Sequence, residues 1–502
     1  MKSQQSASSK QPLIQIREVD SNSILSTMWE QVLAIDQKKN YSSHSRSLRQ
    51  LVISFTEQVK AGEIQKKETI SLMIRNRMAS IQLRLSKQLD EILHHPDFQK
   101  LESKWRGLLF LINSSKSSER IKIRILNISK QDLLKDFERS VQFDRSILFR
   151  HIYESEYGTF GGNPFSFLIG DYQFSRKPKD IHLLQLISKV ASAAHSPFIS
   201  GVHPGLLDMG SFSELSAPEN LARIFENREM TKWQSFRKSE DSRYVVLVLP
   251  QILLRLPYGK SKTKLDSGTI QYEEMVEKSD AENYLWGNAA YALGQRICNA
   301  FEEYGWMARF LGVDGSGAGK VNGLPIPFFD AVPLTKMSTS VYILSSVEKQ
   351  LSHQGLVCLC HCKMTSYSAF FSAQTVHQQK TYMRKSSNAN ERLSAMLPHM
   401  LTASRFAHYL KSIMRDKVGR LTNKGEIEKY LNNWLSQYVL TQTNVSTELK
   451  SQHPLQKSSV KVFDDSERPG QFKILAHIKP HYQLEALNAS IRLVSSLPTI
   501  PN

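Results

Sequence analysis

Phe167-Leu-Ile-Gly-Asp-Tyr-Gln-Phe174, a helical pattern from Asp180 to His195, and then Phe198-Ile-Ser-Gly-Val202 form the stretch that decides the fold. Ile181, Leu184, Ile187 and Ala191 fall on one side of the helix, between two short apolar runs that read as strands. Strand, helix, strand in that order is the unit that lays parallel strands side by side. Tyr244-Val-Val-Leu-Val-Leu249 reads as another buried strand, and a helix follows over about 281 to 304. The alternation predicts an α/β fold, a mixed and substantially parallel sheet core flanked by helices.

Toward the N-terminus, Ile74, Met78, Ile81, Leu85, Leu89 and Ile92 recur every three or four residues and make one stripe of a long helix from Ile70. His94-His95-Pro96 stops it, and Asp97 caps a second helix whose stripe is Phe98, Leu101, Trp105, Leu108 and Ile112. Ile121, Ile123 and Ile125 alternate as in a strand, and Ser129 with Asp132 makes an imperfect capping box for a further helix. Residues 1–60 read as a flexible segment, its first ~20 residues rich in Ser, Gln and Lys. Within it, Ser23–Leu33 forms a short amphipathic helix, either packed on the body or laid as a detachable peptide into a partner's groove.

Toward the C-terminus the character changes after Gly355-Leu-Val-Cys-Leu-Cys360. Residues 61–376 read as the main α/β domain, and the polar stretch His377 to Asn390 as a linker or exposed loop. The C-terminal α+β domain, 391–502, holds helices at roughly 391–417 and 426–439 and then a hairpin. Its strands are Val460–Phe463 and Phe472–Ile478, joined by Asp464-Asp-Ser-Glu-Arg-Pro-Gly470. A lone hairpin is marginal in water, so it pairs within its own domain or takes strands from other subunits, and spacing alone leaves both open.

Composition narrows the function classes. The chain has 502 residues, 40% of them apolar, which suits two or three globular domains. No run approaches the length of a membrane span, so no direct membrane insertion is expected, and no apolar stretch behind Met1-Lys2-Ser3 suggests a secretory signal. Only four cysteines occur, so a reducing cytoplasm is the natural compartment. Lys and Arg number 65 against 47 Asp and Glu, a formal +18. That keeps a basic nucleic-acid-binding protein as an alternative, although the basic residues are dispersed and no recognisable nucleic-acid module is present. The blander reading is a basic surface facing an acidic protein partner, or simply soluble charge, and no nucleic acid is expected.

No chemical constellation is intact, so no cofactor, metal or catalytic residue is expected. Gly312-Val-Asp-Gly-Ser-Gly-Ala-Gly-Lys320 resembles a phosphate loop, but Asp314 stands at the first glycine position and Val321 replaces the magnesium-binding hydroxyl. Cys358, Cys360 and Cys362 would share one strand face with His361 on the other, and no second ligand pair completes a zinc site. Asp171 after Gly170 stands where α/β enzymes place catalytic groups, but no base or nucleophile accompanies it. An α/β enzyme with a pocket near Asp171 or the 312–320 loop remains the other alternative.

A colinear series of segments is more specific than any of these. Leu101-Glu-Ser-Lys-Trp-Arg-Gly-Leu-Leu109 closely resembles the Leu-Glu-x-x-Trp-Arg-Gly-Leu signature of type VI secretion sheath large subunits, the TssC or VipB family. Gly161-Gly-Asn-Pro-Phe-Ser-Phe-Leu-Ile-Gly-Asp171, Ala194-His-Ser-Pro-Phe-Ile199 and Trp233-Gln-Ser-Phe-Arg237 with Asp241-Ser-Arg243 continue it. Leu254-Arg-Leu-Pro-Tyr-Gly259, Leu285-Trp-Gly-Asn288, Tyr304-Gly-Trp306, His453-Pro-Leu455, Pro469-Gly470 and Pro480-His-Tyr-Gln-Leu484 complete it.

The resemblance implies a structural subunit rather than an enzyme. It implies pairing with a small sheath subunit (TssB or VipA), further copies of the chain in a helical lattice, and an inner tube of Hcp that contraction propels to deliver effectors. In the family the C-terminal part contributes strands to an inter-subunit sheet, which makes Val460, Val462, Phe472, Ile474 and Ala476 the inter-subunit strand candidates. The family's sheaths are taken apart by the ATPase ClpV through an N-terminal helix. Ile24, Leu25, Met28, Trp29 and Val32 of the 23–33 helix are the corresponding handle candidates.

Overall fold

The computed structural model describes residues 70–114, 119–216, 221–259, 284–313, 319–326, 337–362, 365–417, 424–442, 445–464, 472–481 and 491–496, together with 50, 53, 54, 57, 272–274 and 276. The chain falls into two compact units, one of residues 1–89 with 269–271, the other of 90–268 with 272–502. In the first unit the described structure is chiefly the long helix α1 (Ile70–Leu93), which runs on into the second.

The second unit is organised by a six-stranded sheet in the order β1 (Leu168–Phe174), β2 (Phe198–Val202), β3 (Val245–Leu249), β7 (Leu356–His361), β8 (Ser368–Phe370), β6 (Lys320–Val321). The first four strands are parallel, and β8 and β6 are antiparallel additions, so the sheet is mixed. Side chains alternate across a strand, and both central strands use that alternation to feed two cores. Val245, Leu247, Leu249, Leu356, Cys358 and Cys360 join the core on one face. Helix α4 (Pro178–Ala193) covers that face with Ile181, Leu184 and Ile187. Helices α6 (Thr231–Lys238) and α8 (Ser345–His353) complete it with Trp233, Phe236, Val347 and Leu351. Val246, Val248, Val357 and Leu359 point the other way, against Leu293 and Ile297 of α7 (Ala290–Tyr304).

The C-terminal region builds a third core on a three-stranded antiparallel sheet, β9 (Leu455–Asp464) and β11 (Ile491–Ser496) flanking β10 (Phe472–Pro480). Helix α10 (Leu397–Lys417) joins the cores: Leu397 and Leu401 pack under the large sheet, while Phe406, Leu410 and Met414 pack under the small one. Trp306, which follows the left-handed Gly305 at the end of α7, stacks on Phe406 at 4.4 Å between ring centroids.

Local expectations and structure part company in four places. The helix expected over 281–304 starts at Ala290, because β5 (Leu285–Gly287) pairs antiparallel with β4 (Ile252–Arg255) just before it. The helix expected over 391–417 is two helices, α9 (Lys385–Ser394) and α10. The polar stretch 377–390 is therefore partly helical, and His377 is buried rather than exposed. Tertiary contacts override its polarity: Arg243 Nη2 donates to Glu391 at 2.9 Å, with His377 Nε2 3.2 Å from the same carboxylate. The strand expected at 121–125 is extended but pairs with no strand among the described residues. The hairpin is found with a third strand added, and its turn beyond Asp464 lies outside the described residues.

Where α10 meets the end of α4, a seam of buried polar rings closes the contact. His408 Nε2 lies 3.1 Å from the Ala194 carbonyl, Tyr157 donates to that carbonyl at 2.9 Å, and His195 Nδ1 is 3.2 Å from the Tyr244 hydroxyl. Burial, with Arg405 adding to it, holds His408 down to about 3, and burial holds His399 on the same helix down to about 3. Both are neutral in the fold, whereas the unfolded chain takes up their protons near the ordinary histidine value of about 6.5. Stability should therefore be level above pH 7 and fall as pH drops below the unfolded value, by at most about 1.4 kcal/mol per pH unit for each histidine. Urea unfolding between pH 7.5 and 5 measures this, and His408→Gln should flatten the slope.

Candidate assembly surface

The sequence singled out the C-terminal hairpin, and the structure turns its candidate side chains inward. Val460, Val462, Ile474 and Ala476 are buried and Phe472 partly so, all against Ile427, Leu431 and Leu435 of α11 (Lys424–Ser436) and the α10 residues of the third core. The opposite face carries the exposed Lys457, Ser459, Lys461 and His477. What the sheet can offer another chain is thus backbone at its edges, together with this polar face.

The two edges differ. Along β9, α11 supplies side chains that imitate a neighbouring strand. Val460 N donates to Asn432 Oδ1 at 2.9 Å, Asn432 Nδ2 donates to the Val460 carbonyl at 3.0 Å, and Val462 N donates to Glu428 Oε2 at 3.2 Å. Those backbone groups are taken, so at these positions the edge is closed to strand addition. At the other edge β11 pairs only with β10 among the described residues.

A second surface lies on α2 (Pro96–Ser114). The stripe read from the sequence exists, but Phe98, Leu101 and Trp105 face solvent, Trp105 being 62% exposed, and Leu109 joins them. The opposite side of the helix is the buried one. There Leu111 packs with Tyr291 and Cys298, and Gly107 lies so close to the Tyr291 ring that a Cβ would sit 2.5 Å from it. Arg255 donates to Glu274 at 2.5 Å and forms an ion pair with Glu102 of α2, its Nε 3.0 Å from the carboxylate, and Arg106 donates to Glu102 at 2.6 Å and to the Tyr258 hydroxyl at 2.9 Å. This largely buried charge network fixes the helix with its apolar stripe outward. In the first unit, Met78, Ile81, Leu85 and Leu89 of α1 are exposed as well.

The other sequence-singled residues take structural places. Asn288 and Tyr291 hydrogen-bond the Asp171 carboxylate, whose pKa burial raises against the pull of Lys104. Burial pushes the Cys360 thiol up to about 12 and holds Cys358 well above the ordinary thiol value, so both are protonated packing groups. Among the described residues no cluster of His, Cys, Asp or Glu is arranged to hold a metal, and no helix is long and apolar enough to cross a membrane. Gly312 N donates to the Phe370 carbonyl and Gly319 N to the Gly312 carbonyl, both at 2.8 Å, which pins the glycine-rich loop to β8; its residues 314–318 lie outside the described residues. The handle candidates Ile24, Leu25, Met28, Trp29 and Val32 lie outside them too.

Asn432 and Glu428 were missed by the sequence reading; their only sequence signal is a polar spacing of four on a helix that precedes a strand. Asn432→Leu should leave the Val460 amide and carbonyl without partners beneath α11 and lower stability by about 1–3 kcal/mol, read as a reduced urea midpoint at unchanged slope.

Comparison with known proteins identifies the fold's relatives. Residues 75–377 match the family described as EvpB/VC_A0108, tail sheath N-terminal domain, and residues 386–497 match the tail sheath gpW/gp25-like domain of the same family. The chain is also 41% identical over 428 residues to the type VI secretion system sheath protein TssC1 of Pseudomonas aeruginosa, covering 84% of this chain and 85% of that protein. With a mixed α/β core, a C-terminal gpW/gp25-like domain and this coverage, the chain belongs to the VipB tail sheath family and is a structural large subunit of a type VI secretion sheath.

Proposed function

We propose that the chain works in the bacterial cytoplasm, without catalysis, by co-assembling with a small sheath subunit and further copies of itself around an inner Hcp tube, and that contraction of this lattice propels the tube. The observation that carries the reading is the apolar stripe of α2, Phe98, Leu101, Trp105 and Leu109, held outward on an otherwise well-packed unit. A lone soluble protein gains nothing from presenting such a stripe on a rigid helix, and a permanent partner covers it. The small subunit is the partner we assign to it.

The C-terminal sheet supplies the second contact. In this reading strands from neighbouring subunits continue it by backbone pairing, with Val460, Val462, Phe472, Ile474 and Ala476 holding the hairpin in shape from beneath. Pairing of one subunit's edge with the next makes a heterologous, non-closing interface, which builds a filament rather than a ring. In the same reading residues 61–376 are the sheath body and 391–502 the linking domain, with 1–60 standing ahead of both.

Co-expression with the small subunit followed by electron microscopy tests the proposal. Tubular sheaths or a stable heterodimer are expected, and Trp105→Glu should abolish both while leaving the circular dichroism spectrum of the chain unchanged. A monodisperse monomer indifferent to the small subunit would overturn it. We further propose that the 23–33 helix is the grip of ClpV. Deleting residues 1–35 should leave assembly intact and remove ClpV binding; undiminished binding would count decisively against the assignment.

A further inference from the structure

The extended segment Ile121-Lys-Ile-Arg-Ile-Leu-Asn127 has the alternation of a strand, yet among the described residues none of its backbone groups forms a backbone hydrogen bond. It is nevertheless held in place. Ile121 packs beside the Leu111, Tyr291 and Cys298 cluster, Arg124 pairs with Glu156 and lies 5.4 Å over the Phe165 ring, and Tyr172 donates to the Ile128 carbonyl at 2.8 Å. Between these anchors Ile123, Ile125 and Leu126 are exposed, Ile125 by 64%, and so is Lys122. An ordered, extended, apolar segment with an open backbone is an edge prepared for strand addition.

We propose that residues 121–127 accept an extended strand of a different protein chain, one that carries acidic residues at alternating positions with apolar residues between them. The choice of occupant follows from charge. In an antiparallel pair centred on Ile123, a second copy would set Lys122 opposite Arg124, and directly opposed like charges are destabilising. A strand with carboxylates there would instead meet Lys122 and the half-exposed Arg124, while its apolar residues would cover Ile123 and Ile125. This edge lies outside the C-terminal sheet, and the proposal holds whether or not that sheet links subunits.

The full-length chain tests it with two labelled synthetic peptides of roughly eight residues, a strand-length probe, one alternating Glu and Val, the other Lys and Val. Fluorescence anisotropy should show the Glu peptide binding at least about tenfold more tightly, with the preference shrinking at high salt. Lys122→Glu, a surface change that leaves the anchors in place, should abolish or reverse the preference. Amide hydrogen exchange across 121–127 should slow by about tenfold or more when the Glu peptide is saturating, while β9 to β11 stay unchanged. Equal binding of the two peptides, an unmoved preference in the Lys122→Glu chain, or protection that appears elsewhere and not at 121–127 would each overturn the proposal.

Discussion

The parallel pairing of β3 with β7, Leu247 beside Leu356, Val248 beside Val357 and Leu249 beside Cys358, is the constraint on which the rest of the molecule depends. Both strands are buried along their whole length, so neither has a solvent face that could absorb an error. A slip of one residue would exchange the set that packs on α4, α6 and α8 with the set that packs on α7. Val, Leu and Cys differ enough in volume for two close-packed cores to reject that exchange. The helices on each face are thereby placed, and α10, rooted in one of these cores, carries the position of the large sheet into the C-terminal core.

How much of this was legible depended on whether the decisive contact was local. The buried strands, α4 and the hairpin are written in periods of two and of 3.6, which any neighbour of the right polarity will satisfy. The short strands β4, β5, β6 and β8 carry no such period in two to four residues, and their existence rests on partners far along the chain. The α2 stripe was legible as a stripe, but periodicity cannot distinguish a face covered by the same chain from one meant for another. Gly107 held the missing information, since a helix can approach the Tyr291 ring that closely only where no Cβ intervenes. The strand at 121–125 was misread for the same reason: its pattern is real and its partner is not in the described structure.

The recognisable motif residues divide along the same line. Trp233 is buried, and Arg237 is spent within the chain itself, donating to the Val376 carbonyl at 3.0 Å and to the Gln354 side-chain oxygen at 2.8 Å. Arg255 is bound into the network with Glu102 and Glu274. Leu101 and Trp105, from the same signature as Gly107, face outward. A single motif thus carries both halves of the design, a glycine that lets the helix seat deeply and a tryptophan that uses the seated helix as a platform. Removing one partner from a buried charge network costs several kcal/mol, which is why such a network can hold a helix rigid enough to present its apolar side without collapse.

An assembling protein must leave hydrogen-bonding capacity open in some places and shut it in others. Each backbone hydrogen bond gained on strand addition is worth only about 0.5–1.5 kcal/mol net, so specificity cannot come from the bonds themselves. It comes from which edges are available. Asn432 and Glu428 shut β9 at Val460 and Val462 with side chains that no competing strand displaces without stranding them. Across the same sheet β11 has one described neighbour, and on the body residues 121–127 have none. A chain with +18 formal charge that keeps Lys122 and Arg124 on such an open edge resists pairing with itself there and admits an acidic partner. In the proposed assembly, the pattern of closed and open backbone, more than any one contact, gives growth its direction.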